Sequence, residues 1–252
     1  MLAIERKRYI QDLLKREKKV IVADLAIHFG VTEETIRRDL EKLENEGFAQ
    51  KIYGGAVLNE SFNVDLPYLI RRRSNVEAKQ YIADIIAERI QDGDNIMLDS
   101  SSTALFVVKN IKSKKNITVV TNSTEIVCEL ADRTNWKVYA TGGLVKEGGY
   151  AFIGARAVDV IKSFHVDMAI FSCKGVDLEF GLTDSNDDDA EIKKAIIASA
   201  KKKILAVDRS KFDRTSLVNI SDVDVVDMVV TDSCPDERWI RYFEEKGIDL
   251  LY

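Results

Sequence analysis

The sequence has little of what metal centres, disulfide frameworks and membrane spans are made from. Its 252 residues include 2 His and 3 Cys, the latter scattered at Cys128, Cys173 and Cys234. An odd, dispersed set of thiols without a CxxC pair makes no disulfide framework, and the lone His28 and His165 offer no ligand cluster, so no metal and no cofactor is expected. No apolar run approaches the ~20 residues that span a bilayer, and the opening MLAIERKRYIQ lacks a signal peptide's apolar stretch. No membrane partner is expected, and the cytoplasm is the expected address. With 2 Pro and 13 Gly the chain is neither collagen-like nor of low complexity. What it does have is a globular balance, 46% hydrophobic and 31% charged residues, in a length that calls for one large or two unequal domains.

Charge is unevenly spread. The formal net charge of -5 hides a basic N-terminal portion, with 15 Lys+Arg against 13 Asp+Glu in residues 1–79, and an acidic remainder, with 22 against 29. Such asymmetry fits a nucleic-acid module joined to a soluble one. In the first portion Ile4, Ile10, Leu13 and Leu14 recur at helical spacing, predicting a helix over 4–17 that ends at Lys18 and Lys19. After the β-branched run 20–22, Leu25, Ala26 and Phe29 form one face of a short helix stopped by Gly30. Thr32 then caps a third helix, acidic in its first turn, with Ile36, Leu40 and Leu43 as its apolar stripe and Gly47 as its stop.

Two helices joined at Gly30-Val31 have the spacing of a helix-turn-helix. At 100° per residue from Ile36, Glu34 and Arg38 point away from the core and Thr35 and Arg37 flank it. An ordinary solvated helix with i, i+4 ion pairs has the same pattern. The next segment, FAQKIYGGAVL, favours DNA: it alternates about Tyr53-Gly54-Gly55 as a β-hairpin, a wing whose Lys51 and Tyr53 reach phosphates. The stretch GVTEETIRRDLEKLENEGFAQKIYGGAVL resembles the N-terminal signature of the DeoR family of bacterial transcriptional regulators across residues 3–58. The resemblance implies that Val20–Asp39 spans the helix-turn-helix, with Thr32, Thr35, Arg37 and Arg38 on the recognition helix.

Residues 59–75 lose periodicity, carry Pro67 and the run Arg71-Arg72-Arg73, and read as a linker. From 76 to 252, helical segments alternate with short β-rich runs: helix to Ile90, strand NIML, helix near 103–112, strand ITVV, helix near 124–131, strand KVYA, and further such units. This predicts a Rossmann-like parallel α/β sheet with a ligand at the carboxyl ends of its strands. Those ends are polar or glycine-bearing. They are Asp99 with Ser100, Ser101, Ser102 and Thr103 opening a helix, Thr121-Asn122-Ser123, Gly142-Gly143, Lys174, and Asp208 followed by Ser210 and Lys211. Hydroxyls and free N–H groups at a helix start suit phosphate or carboxylate, and a nearby lysine supplies a counter-charge. Simple Ser/Thr capping explains one such loop; a ligand crevice explains several on one edge.

The resemblance continues through D-x-x-x-T, TNS, TGG, GLT, an acidic-Ala-x-[IV]-K stretch and D-x-SKF, which are similar to the DeoR-type effector domain. It implies a fold similar to ribose-5-phosphate isomerase that senses phosphorylated sugars, with Asp99, Ser102, Thr103, Thr121, Asn122, Gly142, Gly143 and Lys211 in the pocket. The chain departs from the family at Ser101, where Gly is common, at Lys174, and at Asp189, where Glu is common. The expectation is therefore a winged helix-turn-helix at 1–58, a linker at 59–75 and an α/β sensor at 76–252. Its partners are operator DNA and a phosphorylated sugar-like effector. It is expected to be a non-enzymatic regulator, most often a repressor in this family, and symmetric operators imply a homodimer or homotetramer. The rival readings are a sugar-phosphate isomerase using Asp99 or Asp177, and a scaffold with an empty crevice.

Overall fold

The computed structural model describes residues 3–45, 48–58, 68–132 and 135–252. Gly47, the expected helix stop, and residues 59–67 of the expected linker lie outside them. The chain divides into two compact units at Leu66/Pro67, each described by itself below.

In the first unit, α1 (Ala3–Glu17) is followed by β1 (Lys19–Ile21), α2 (Val22–Phe29), α3 (Glu33–Asn45), β2 (Ala49–Ile52) and β3 (Gly55–Leu58). The helical stripes meet as their spacing dictates: Ile10 and Leu14, Leu25 and Ala26, and Ile36, Leu40 and Leu43 form one core with Phe48 and Ala56. Gly30 closes α2 in the left-handed conformation at φ 63°. The wing is larger than the expected hairpin, because β1 pairs antiparallel with β3 to give the order β1-β3-β2. That third strand explains Gly55, where a Cβ would stand 2.1 Å from the Val20 carbonyl oxygen. A buried ion pair between Arg6 of α1 and Asp39 of α3, outside the hydrophobic pattern, joins the two helices.

The second unit begins with α4 (Tyr68–Arg73) and α5 (Val76–Ala87). It continues with β4 (Asn95–Leu98), α6 (Ser102–Asn110), β5 (Thr118–Thr121), α7 (Thr124–Leu130), β6 (Lys137–Ala140), β7 (Leu144–Val145), β8 (Phe152–Ile153) and α8 (Ala155–Lys162). Then come β9 (Val166–Phe171), β10 (Gly175–Asp177), β11 (Gly181–Asp184), α9 (Asp187–Ala198), β12 (Ala200–Ala206), β13 (Val218–Ser221), β14 (Met228–Val230), α10 (Glu237–Lys246) and β15 (Asp249–Leu251). Among the described residues a seven-stranded sheet runs β15-β14-β12-β9-β4-β5-β6, with every pairing parallel. Alternate strand residues face opposite sides. Ile96 and Leu98 pack with Ile82, Ile86, Leu105 and Ile126 of α5 to α7. Met97 and Phe171 pack with Ile161, Ile196, Trp239 and Phe243 of α8 to α10. Helices cover both faces, the doubly wound layering that continuous apolar strands require. An antiparallel sheet, β10-β11-β13, stands beside it.

One expectation is corrected. The end of the linker, from Tyr68, is helix α4 of the second unit, with Tyr68 buried. Its partners are distant in sequence, so no local period announces them: the Tyr68 ring lies 5.3 Å from that of Tyr150, and Arg72 pairs with Glu125 of α7.

Candidate DNA-binding surface and effector site

The outward face of α3 carries what a DNA-reading helix needs. Thr32 receives the backbone N–H of Thr35 at 3.3 Å, and the two hydroxyls meet at 3.0 Å, which fixes the start of the helix. Arg37 pairs with Glu33 and Arg38 with Glu34, each one turn apart. The four side chains are half or more exposed, at 50–73%, so these pairs are weakly held and free to exchange for phosphates. Glu34 belongs to that exposed row, and Thr35 is half-buried beside it. At the wing, Lys51 bonds through its N–H to Glu44 at 2.9 Å, and Tyr53 stands fully exposed at the turn.

In the second unit the parallel sheet places every strand's carboxyl end on one edge, and with it the polar loops. The strand order reverses between β4 and β9, which marks a topological switch point. Asp99 sits there, turned inward: its Oδ1 accepts the Ser101 N–H at 3.0 Å and its Oδ2 the Ser172 N–H at 3.1 Å. It therefore ties the ends of β4 and β9 together. Thr121 is also engaged, donating to the Leu98 carbonyl at 2.8 Å and accepting from the Ser123 N–H at 3.0 Å. Ser101 caps α6, so Ser102 is its first helical residue.

Among the other sequence-predicted residues, Asn122 keeps free valence. Asn122 Nδ2 donates to the Phe152 carbonyl at 3.0 Å, with Ser100 Oγ at 3.5 Å. Since a carbonyl only accepts, this fixes the amide and leaves Asn122 Oδ1 buried without a hydrogen-bond partner. Lys211, half-buried after Asp208, makes no ion pair within 4.0 Å among the described residues, though its charge, against the effect of burial, helps hold the Asp208 carboxyl below its ordinary pKa. Ser102 and Thr103 are buried, and Ser102 donates to the Arg71 carbonyl at 3.5 Å. Gly142 and Gly143 take φ of 61° and 113°, and a Cβ on Gly143 would meet the Ile153 carbonyl oxygen at 2.8 Å, so Gly143 lets β8 pass close. Lys174, between β9 and β10, bonds through its N–H to Thr183 at 3.0 Å.

Two lysines at this edge are not singled out by the sequence pattern of polar strand ends. Lys193 of α9 lies 2.8 Å from Asp184 and 3.8 Å from Asp99. Burial works against its charge, but Asp184, Asp99 and Asp189 hold its pKa above the ordinary value; burial raises that of Asp99 against the pull of Lys193. Asp189, also drawn upward by burial, is held below its usual value by Lys193 and by Lys146, which pairs with it. Lys79 of α5 donates to the carbonyls of Arg71 and Ser74. Burial lowers it to about 8, with Lys211 and Arg71 pushing the same way and Asp208 opposing. A signal was present for both: each lysine falls in phase with an apolar helical stripe, Lys79 with Ile82, Ala83 and Ile86, and Lys193 with Ala190, Ile196 and Ile197. Cys173 is buried in the same region, its thiol pushed up to about 12 by burial and Asp184, which disfavours the reactive thiolate.

A winged helix-turn-helix in front of a doubly wound domain with a polar carboxyl edge defines a DNA-binding transcriptional regulator with a sensor domain. The chain belongs to the DeoR family: the DeoR-like helix-turn-helix domain matches residues 6–62 and the DeoR C terminal sensor domain residues 74–233. It is 36% identical over 250 residues to the uncharacterized HTH-type transcriptional regulator YulB of Bacillus subtilis, covering 99% of this chain and 96% of that protein. It is 31% identical over 250 residues to the glycerol-3-phosphate regulon repressor of Escherichia coli, covering 99% of each. Among solved structures, ribose 5-phosphate isomerase A of Methanocaldococcus jannaschii aligns with 55% of each chain at 18% identity and a TM-score of 0.40. Among the described residues no helix is long and apolar enough to cross a membrane.

Proposed function

We propose that the chain is a repressor of a carbohydrate catabolic operon, acting on chromosomal DNA in the cytoplasm, whose operator affinity is set by a phosphorylated sugar or similar metabolite. The recognition helix α3 and the wing hold the operator, as a homodimer or homotetramer that matches operator symmetry. The effector lies at the carboxyl edge of the sheet, its anionic end near Ser102, Thr103 and Lys211 and its hydroxyls toward Asn122. The observation that carries this reading is the buried, unmatched acceptor Asn122 Oδ1, at a strand end on the edge that also carries Lys211. A polyhydroxy anion satisfies both. A relative named for the glycerol-3-phosphate regulon supports a small phosphorylated ligand. The chain is read as a sensor without catalytic activity, because the best-placed carboxylate, Asp99, already accepts a backbone N–H on each of its oxygens and is held in a structural role.

The test is titration of sugar phosphates into a complex of the protein with operator DNA, with Lys211→Ala alongside. A charge-assisted hydrogen bond contributes ~1.5 to 3 kcal/mol, so the variant is expected to need roughly ten- to a hundredfold more effector. Its operator binding without effector is expected to survive. A wild-type response at wild-type concentrations removes Lys211 from the site.

A further inference from the structure

Helix α4 opens the second unit, so the chain leaving the DNA-binding unit enters the sensor through it. It rests on residues beside the proposed effector site. Lys79 donates to the carbonyls of Arg71, in the last turn of α4, and of Ser74 just beyond it. Ser102 reaches the same Arg71 carbonyl. Asn75 donates to Asp208 at 3.3 Å, next to Lys211. With α4 in place Lys79 is only 5% exposed and Ser102 4%, so neither is open to a solute. The negative end of a helix, a row of carbonyls, thus occupies an anion's place.

We propose that the effector's anionic group takes Lys79 and Ser102 from the carbonyls of Arg71 and Ser74, and that α4 is released as the effector binds. The inference rests on the sensor reading above and adds its mechanism, with Lys79 as an anion ligand. A full anion is the stronger partner, because charge-assisted hydrogen bonds are roughly twice as strong as bonds to a neutral carbonyl. The charges facing Lys79 favour it too: Arg71 from α4 and Lys211 after β12 are cations, and Asp208 is the single carboxylate acting on it. Burial, with Lys211 and Arg71, outweighs Asp208 and brings the Lys79 pKa down to about 8. Released, α4 frees the attachment point of the DNA-binding unit, whereas Tyr68 against Tyr150 and Arg72 against Glu125 hold it in place.

Three consecutive arginines, Arg71 to Arg73, make α4 its own reporter. The full chain is treated with trypsin at increasing inorganic phosphate, with chloride at matched ionic strength as control. Cleavage at Arg71–Arg73 is followed by fragment mass and binding by the melting temperature. Because cleavage of a locally opened segment tracks its open population, phosphate that saturates the melting shift is expected to speed cleavage there roughly tenfold. Lys79→Met is expected to be cleaved rapidly from the outset and to lose the response. If that variant does not fold, Asn75→Gly serves: it removes the bond to Asp208, keeps Lys79, and is expected to cleave faster than wild type without phosphate while still responding to it. A melting shift with unchanged or slower cleavage overturns the displacement and leaves the sensor reading standing. Neither a melting shift nor faster cleavage overturns both.

Discussion

The outer face of α3 and the carboxyl edge of the sheet are both laced with opposite charges, and burial separates their roles. On α3 the Arg37–Glu33 and Arg38–Glu34 pairs stand in solvent. Such pairs contribute little to stability, so they break easily and a DNA phosphate can replace the glutamate. At the sheet edge Lys193 faces Asp184 and Asp99 with side chains 9% and 1% exposed. There each charge is committed to its partner, because losing one strands the other in a poor solvent for ions. Exposed pairs are exchangeable; buried ones fix the loops around a site.

The largest effect is expected at the buried end of this contrast. Lys193→Met leaves Asp99 and Asp184 without their cation and should destabilise the second unit by ~3 to 5 kcal/mol, read from chemical denaturation. A loss below ~1 kcal/mol, the value for an exposed pair, would erase the distinction. On α3 the expectation reverses: replacing both Arg37 and Arg38 with Ala should leave folding near wild type but weaken operator binding. An arginine that binds a phosphate should, when replaced, lower the salt slope of binding by about 1, and one that reads a base should cost ~1 to 3 kcal/mol with relaxed specificity. Unchanged operator binding by the folded double variant would take α3 out of the interface.

Lys79 sharpens the contrast through pH. Its pKa is about 8 in the folded chain against an ordinary 10.5, chiefly through burial, with Lys211 and Arg71 adding to the fall and Asp208 opposing it. Between these values the unfolded chain holds the proton and the folded chain does not, so its stabilising contribution is present above 10.5 and is lost as pH falls toward 8. Relative to Lys79→Met, the wild type should gain stability as pH rises from about 8, by at most ~1.4 kcal/mol per unit. A flat difference would mean that Lys79 is not desolvated. The smallest effect belongs to Glu33→Gln, which removes one exposed pair and should change stability by less than ~0.5 kcal/mol.

The sequence by itself determined the helical stripes Ile10-Leu14 and Ile36-Leu40-Leu43, the turn at Gly30, the strand runs at 95–98 and 137–140, and the polar character of the strand ends, because each is a local period or a residue with one conformational use. Once the strands were read as parallel, those ends had to share an edge. Only the tertiary structure decided which polar atoms at that edge are free. Asp99 and Thr121 are taken up by the backbone of neighbouring loops, whereas Asn122 Oδ1 is left unmatched and Lys211 makes no ion pair within 4.0 Å among the described residues. It also decided that Tyr68–Arg73 is a helix, since that segment is held by Lys79, Ser102 and Glu125, and that Gly55 is required where β3 pairs with β1. Side-chain periodicity reports which face of an element is buried. It carries nothing about which distant backbone group meets a given hydroxyl, carboxylate or ammonium, and at this edge those long-range pairings distinguish a structural residue from one left to bind a ligand.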